Sequence, residues 1–450
     1  MEELEAAPEH VRALALEMHP EDLASAVDAL SAEDARAMLD LLDDPRSADI
    51  LTRVSVEQQR ELLKLLGVRR LAALFEYMSA DDRVDLFQLL AAPLASQTLD
   101  ALAERQPELA SEVRSLARWA PETAGGRMTT EFLSLRPQVT AGEAIETVRR
   151  LSRRRELETV YYIFVCDVGF QLRGVISLRE LILADPEQPL GDILTPQVVS
   201  VRPEEDQEAV AATMARYDLS ALPVVGPQGR MLGVVTIDDV FDVLIDEATE
   251  DLQRLGGMVP LESGYFETGW FDFVWRRATW LVVLFLGQML TATVMERNEA
   301  LLQSMVSLVI FVPLIISSGG NAGAQSSSLI IRALALGEVR ASQWWRVAGK
   351  EVSIGLALGV LLGILGAARA SLTGEDAQTT ALMALAVGSS IVAVIVLGAV
   401  VGAILPLIIS RVGFDPAVSS SPMIASLVDV LGLGTYFVIA STIFRLANAL

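Results

Sequence analysis

Ser419-Ser420-Ser421-Pro422-Met423-Ile424-Ala425-Ser426-Leu427-Val428-Asp429 opens the last long apolar segment of the chain, Pro422 to about Leu446. Asp429 falls roughly two turns inside that segment, where a carboxylate costs about 2.5–3.5 kcal/mol on insertion scales. It should face a wet cavity, and an ionisable group at such depth is a functional-site candidate by default. Pro422, Ala425, Ser426 and Asp429 share one helix face at i, i+3, i+4 and i+7. That face is small and polar, while Leu427, Val430 and Leu431 point elsewhere. It reads as the wall of a cation path; the competing reading is a carboxyl buried for helix packing.

Working back from this segment, the sequence from Trp270 onward holds apolar stretches long enough to span a bilayer. They run roughly Trp275–Met295, Leu301–Leu334, Val347–Ala370, Ala381–Ser410 and Pro422–Leu446. Pro313 and Pro406 should tilt or kink the second and fourth. Trp270, Trp275 and Trp280 form an expected interfacial belt. Arg276, Arg277, Arg332, Arg340, Arg346, Lys350 and Arg411 fall on one side, Arg297, Arg369 and Arg445 on the other. The richer side is cytoplasmic by the positive-inside rule, with the N-terminal part, which puts the C-terminus outside. The expected location is a cell (inner) membrane, crossed several times. Gly355, Gly359 and Gly363, and Gly398 and Gly402, form small-residue faces for close helix approach. Ser317-Ser318-Gly319-Gly320-Asn321-Ala322-Gly323-Ala324-Gln325-Ser326 is expected to interrupt the second span. Asn321 and Gln325, one turn apart, either bond to neighbouring helices or line the path.

Mean hydropathy is +0.42 and 52% of the 450 residues are hydrophobic, as in a partly membrane-embedded protein. The formal charge is −23 and uneven. From Phe271 onward nine acidic residues face ten Arg and Lys, about +1, so the first 270 residues carry about −24. Nucleic acid and anionic lipid are poor partners for that part, and divalent cations good ones. One cysteine, Cys166, excludes intrachain disulfides; with two histidines, His10 and His19, zinc spacing is absent. Oxygen ligands favour Mg²⁺, Ca²⁺ or Mn²⁺. Met-Glu-Glu-Leu-Glu at the start lacks the basic and apolar regions of a secretory signal. No P-loop or nucleophile constellation appears, which argues against an enzyme or a primary pump.

Pro8 to Ala120 reads as short amphipathic helices with a repeat. Ser31-Ala32-Glu33-Asp34, Ser55-Val56-Glu57-Gln58 and Ser79-Ala80-Asp81-Asp82 recur about every 24 residues, as solenoid units do. Each supplies an N-cap serine and a first turn rich in acid or amide. Those acids are caps, or caps that also help bind cations. Pro121 to Arg127 is a linker.

Two related modules follow. Met128-Thr129 and Ser134-Leu135-Arg136-Pro137 match Leu194-Thr195 and Ser200-Val201-Arg202-Pro203. Gly174-Val175-Ile176-Ser177-Leu178-Arg179-Glu180 matches Gly233-Val234-Val235-Thr236-Ile237-Asp238-Asp239. The duplicated Gly-x-x-Ser/Thr-x-x-Asp pattern, from which the first copy departs with Glu180 in place of the Asp, resembles a tandem pair of CBS domains. Many such pairs bind adenine nucleotides, which implies ATP at Thr236 and Asp239; the alternative is that these turns are structural. From Asp239 to about Leu255 a helix about 25 Å long continues out of the second module. Asp239, Asp242, Asp246 and Glu250 form one acidic stripe, with Glu247 and Asp251 beside it, and Gly256-Gly257 ends the helix. The stripe senses cations or is a solvated face.

The whole order resembles the MgtE magnesium channels. The match is carried by Gly319-Gly320-Asn321-x-Gly323-x-Gln325-Ser326, Asp415-Pro416-Ala417 and Pro422-x-x-Ala425-x-x-x-Asp429. Ser421 departs, standing where the family often has Asn. The resemblance implies a multidomain membrane protein. Its parts are an all-α superhelical N-domain (1–127), an α/β tandem CBS pair (128–193 and 194–244), a connecting plug helix (239–257) and an all-α transmembrane domain of five helices (270–450). It implies a homodimer in the lipid bilayer with Asp429 of each subunit facing the pore, beside Ala425, Asn321 and Gln325. It implies Mg²⁺ held between acidic faces that shut the channel. Matching positions are Glu208, Asp218, Asp239, Asp242, Glu247, Glu250 and Asp251, with Asp81, Asp82 and Asp85 in the N-domain and Asp415 at the membrane part. The expected function is Mg²⁺ entry down its electrochemical gradient, closed by cytosolic Mg²⁺. The alternative is a coupled secondary transporter of divalent cations with nucleotide regulation at the CBS pair.

Overall fold

The computed structural model describes residues 8–154, 157, 160–261, 264–265, 268–299, 306–335, 337–372 and 376–448. Contacts divide the chain after Glu247 into two compact units.

The first unit begins with α1 (Pro8–Glu17), α2 (Pro20–Asp28), α3 (Ala32–Leu41), α4 (Asp44–Arg53), α5 (Val56–Leu65), α6 (Val68–Phe75), α7 (Ala80–Gln88), α8 (Ala92–Arg105) and α9 (Pro107–Leu116). Helices two places apart pack together: α2 on α4, α3 on α5, α4 on α6, α6 on α8 and α7 on α9. The sequence repeat is therefore a helix pair, and its apolar faces stack into one core from Ala15 to Val113. Ser31 and Ser55 cap α3 and α5, accepting the N–H of Asp34 (3.2 Å) and of Gln58 (3.3 Å). Ser79 departs from that expectation: it makes no cap bond to the backbone, and its hydroxyl donates to the Asp82 carboxylate at 2.7 Å.

The α/β part follows. β1 (Ser134–Leu135) runs parallel to β2 (Tyr162–Cys166), which pairs antiparallel with β3 (Leu172–Ser177). α10 (Ala141–Arg154), α11 (Leu178–Leu183) and α12 (Leu190–Ile193) accompany them. The second copy has α13 (Gln207–Tyr217) and the antiparallel pair β4 (Ala221–Val225) and β5 (Met231–Thr236). Val201 bridges Val224 in parallel, as β1 does β2. The copies exchange backbone: Thr129 bridges Val234 and Thr195 bridges Val175. The duplicated glycines serve this exchange. A Cβ on Gly174 would lie 2.9 Å from the Thr195 carbonyl, and one on Gly233 would lie 2.7 Å from that of Thr129.

α14 (Ile237–Leu255) continues from β5, and the division between the units falls inside it. Its end is a left-handed turn at Gly257 (φ +72°), with the Met258 N–H donating to the Gln253 carbonyl.

The second unit holds α15 (Trp270–Arg297), α16 (Val306–Val309), α17 (Val312–Ala335), α18 (Trp344–Ala370), α19 (Ala377–Val412) and α20 (Ser421–Asn448). Five stretches are long and apolar enough to cross a membrane, α16 joining α17 in one of them. The expected start of the second span at Leu301 lies outside the described residues. The glycine-rich stretch does not interrupt that span. It is helical throughout α17, and the break comes earlier, at Ile310-Phe311. Pro313 then sits in the first turn of the restarted helix, where its missing N–H costs nothing. The glycines are there for close approach. A Cβ on Gly398 would lie 2.3 Å from the Gly319 carbonyl, and one on Gly402 would lie 2.1 Å from that of Gly323. On the other side of α19, Gly355, Gly359 and Gly363 seat against Val396, Val392 and Gly388. α17 and α18 thus both lean on α19, which stays one helix through Pro406. Trp270 and Trp275 are exposed as a belt requires, but Trp280 turns inward and donates to the Ser420 hydroxyl at 3.0 Å.

Candidate cation path and acidic cluster

In α20, Ile424, Val428, Tyr436 and Phe437 are buried in the unit's core, which leaves Ala425, Ser426 and Asp429 half-buried on another side. A Cβ on Gly320 of α17 would lie 3.5 Å from both the Asp429 carboxylate and the Ala425 methyl. The Asp429 side chain therefore lies against bare α17 backbone. Beside it on α17, Ser317, Asn321, Gln325, Ser328 and Arg332 are exposed and follow one another at helical spacing. Asn321 donates to its own helix, to the Ser317 hydroxyl at 3.3 Å. A polar stripe on a membrane span does not face hydrocarbon; it faces water or another polypeptide. Asp429 and Ala425 of α20 and Asn321 and Gln325 of α17 thus come from two adjoining helices.

The mouth of α20 is tied to the end of α14. The Arg254 guanidinium pairs with Glu250 on its own helix and with Asp415. Asp415 also accepts the Ala417 N–H at 2.8 Å. A Cβ on Gly257 would run into Trp280 and reach Pro422. Glu250 and Asp415, both expected as Mg²⁺ ligands, already share this cation, and Asp251 lies half-buried beside them on α14.

In the first unit Asp81, Asp82 and Asp85 occupy the first turns of α7, and Asp239 the first turn of α14. Burial, then the charge of Asp81, pushes the Asp239 carboxyl up to about 8. Burial also raises Asp82, next to Asp81, and Asp85, opposed by Arg127, each to about 6. Asp81 is raised as well, chiefly by burial, and its Oδ1 has no hydrogen-bond partner. Arg127 lies 3.7 Å from Asp85 and donates to Gln207, which donates to Glu247 at 2.7 Å. Thr236 is buried and donates to Asp239 at 2.6 Å, so the two expected nucleotide ligands are bonded to each other. In the first copy Ser177 and Glu180 form a capping box.

Glu208 and Asp218 do not come together: they sit at opposite ends of α13, about 15 Å apart along its axis. Asp218 is held left-handed at the helix end (φ +53°). Asp242 is exposed. Among the described residues no three Asp, Glu, His or Cys side chains form a metal cage. Sequence reasoning passed over Glu351, a carboxylate only 8% exposed on α18. Arg83, 2% exposed, was also passed over; it pairs with Glu112 at 2.9 Å. Neither spacing nor repeat marked them.

The chain matches three family patterns. Residues 18–122 match the MgtE intracellular N domain, 190–246 the CBS domain and 312–439 the divalent cation transporter MgtE. It is 40% identical over 426 residues to the magnesium transporter MgtE of Thermus thermophilus, covering 94% of this chain and 93% of that protein. It is 35% identical over 338 residues to the magnesium transporter MgtE of Enterococcus faecalis, covering 75% and 73%. The solved cytosolic domain of the Mg²⁺ channel MgtE in complex with ATP aligns at a TM-score of 0.50 and 40% identity, covering 53% of this chain and 96% of that one.

Proposed function

The chain belongs to the MgtE family of magnesium transporters, and on that premise we propose that it is a Mg²⁺ channel whose path runs past Asp429. The observation that carries this reading is the Asp429 carboxylate lying against Gly320, beside the exposed polar stripe of α17. One carboxylate per chain is too few for a dehydrated ion. Mg²⁺ gives up water reluctantly and is bound through one or two carboxylates with its remaining waters kept. A homodimer with its two-fold axis along the path supplies a pair of Asp429 side chains and covers the stripe. The ion enters the cytoplasm down its gradient, gaining about 4.6 kcal/mol per 100 mV as a divalent charge. The soluble N-terminal part is cytoplasmic and the C-terminus is outside.

Cytosolic Mg²⁺ closes this path. The crowded acids Asp81, Asp82, Asp85 and Asp239 are protonated or neutralised at a cost that a divalent cation removes. Asp242, Glu247 and Asp251, with Glu208 and Asp218 of α13, extend the set. Glu250 and Asp415 join it by exchanging Arg254. Mg²⁺ that binds only the compact arrangement shifts the population toward it. ATP binds at the CBS pair, a reading supported by the solved cytosolic domain of a relative being a complex with ATP; isothermal titration of the full chain checks this, and no heat at millimolar ATP removes it. Current through single proteins in a planar bilayer, independent of any counter-ion gradient, is the expected mark of a channel. Flux that demands a counter-ion contradicts it.

A further inference from the structure

Glu351 is an acidic side chain that neither the path nor the acidic cluster uses. It lies on a buried stripe of α18 that reads Val347, Glu351, Gly355, Gly359, Gly363, Gly366 and Ala370. Every other member is glycine or apolar, and the three central glycines seat α18 on α19. A carboxylate in that series is costly in a membrane span and needs a partner. Its partner is on another helix: the Ser326 hydroxyl of α17 donates to it at 2.7 Å. α17 and α18 each pack on α19, and this bond links them directly.

Ser326 follows Gln325 in sequence, about 100° around the helix. From Gly319 to Gly323, α17 is held by backbone contacts with Gly398 and Gly402. Beyond Gly323 polar bonds contribute: Ser326 to Glu351, and Ser327 to the Ser419 carbonyl at 3.5 Å. Gln325, Ser328 and Arg332, at the same level, are on the exposed side of α17.

We infer that Glu351 is a positioning residue: through Ser326 it holds α17 in the rotation that presents Gln325 to the ion path. This rests on the path proposed above. A charge acting on the ion directly predicts the opposite for one variant. Glu351→Gln keeps an oxygen that accepts the serine hydroxyl, so positioning survives it and a direct charge effect does not.

The test uses the full chain in proteoliposomes, with Mg²⁺ as the probe. Glu351→Gln should transport within about two-fold of the wild type, whereas Glu351→Ala and Ser326→Ala should each lose about ten-fold in maximal flux, the scale of one lost charge-assisted hydrogen bond. The double Ala variant should be no worse than either single one, and half-saturating Mg²⁺ should not move. Because Glu351→Ala could fail to fold, Ser326→Ala carries the test alone if needed. A second readout ignores transport. In a Cys166→Ala background, Gln325→Cys should react with a water-soluble thiol reagent at a rate that Ser326→Ala changes and Glu351→Gln does not. Equal labelling with and without Ser326→Ala overturns the positioning role, as does Glu351→Gln falling as far as Glu351→Ala. Failure of the path reading shows separately, as wild-type flux in Asp429→Ala.

Discussion

Asp239 shows what a single residue contributes in the soluble unit. Its carboxyl, buried and next to Asp81, is raised from 3.8 to about 8. A raised carboxyl pKa means that the folded unit binds a proton the unfolded chain would release. The stability it contributes is present below about pH 4 and is lost as pH rises toward 8. Asp82 and Asp85, raised to about 6, add to the lower part of that window. Without Mg²⁺, hydrogen exchange in α7 and the first turn of α14, corrected for intrinsic rate, should therefore be faster at pH 8.5 than at pH 6. Millimolar Mg²⁺ should remove most of the difference, and Asp239→Asn should remove the part above pH 6. Some of this scale was legible in the sequence. Asp429 announced itself because it stands alone, deep in an apolar run. Glu351 did not, because it follows Lys350 near Trp344 and Trp345 and reads as a flanking charge; only the fold brings Ser326 to it. Thr236 and Asp239 were legible as a pair, but not as partners of each other.

At the scale of elements, the α17–α19 contact is the tightest constraint in the membrane unit. A methyl on Gly402 would stand 2.1 Å from a backbone carbonyl, which cannot swing aside as a side chain does. Gly402→Ala should lower stability by about 1–3 kcal/mol, the usual cost of overpacking, read as a lower thermal midpoint in detergent. Gly434→Ala, with nothing within 4 Å of the added methyl, should leave the midpoint unchanged or raise it. α14 makes a second prediction. With Asp239, Asp242, Glu247 and Glu250 changed to Asn or Gln, both the repulsion and the cation ligands go. Proteolysis near Gly256 should be slowed by millimolar Mg²⁺ in the wild type and be indifferent to it in the variant. Equal protection would make these acids a solvated face. The helix-pair repeat and the duplicated module were readable because periodicity and self-similarity are properties of sequence. The glycine-rich stretch of α17 reads as a break in the sequence and is helical in the fold. Glycine disfavours a helix locally, and the close approach that repays it here is supplied by Gly398 and Gly402, far away in the chain.

For the whole molecule the governing fact is the separation of charge, about −24 before Phe271 and about +1 after it. Acidic surfaces brought together repel, even when partly screened, and a divalent cation turns that repulsion into attraction. Architecture at this scale could be read from composition and hydropathy. The proposed second subunit could not, because one chain carries one Asp429 and nothing in its spacing states how many copies meet. The central claim is that Mg²⁺ passes Asp429, and its most direct test is Mg²⁺ uptake into proteoliposomes under an imposed potential. The wild type should take up Mg²⁺ faster when the interior is negative. Asp429→Ala, folded and dimeric, should lose most of that uptake at every potential, and Asp429→Glu should keep part of it. Uptake by the Ala variant at the wild-type rate would contradict the account.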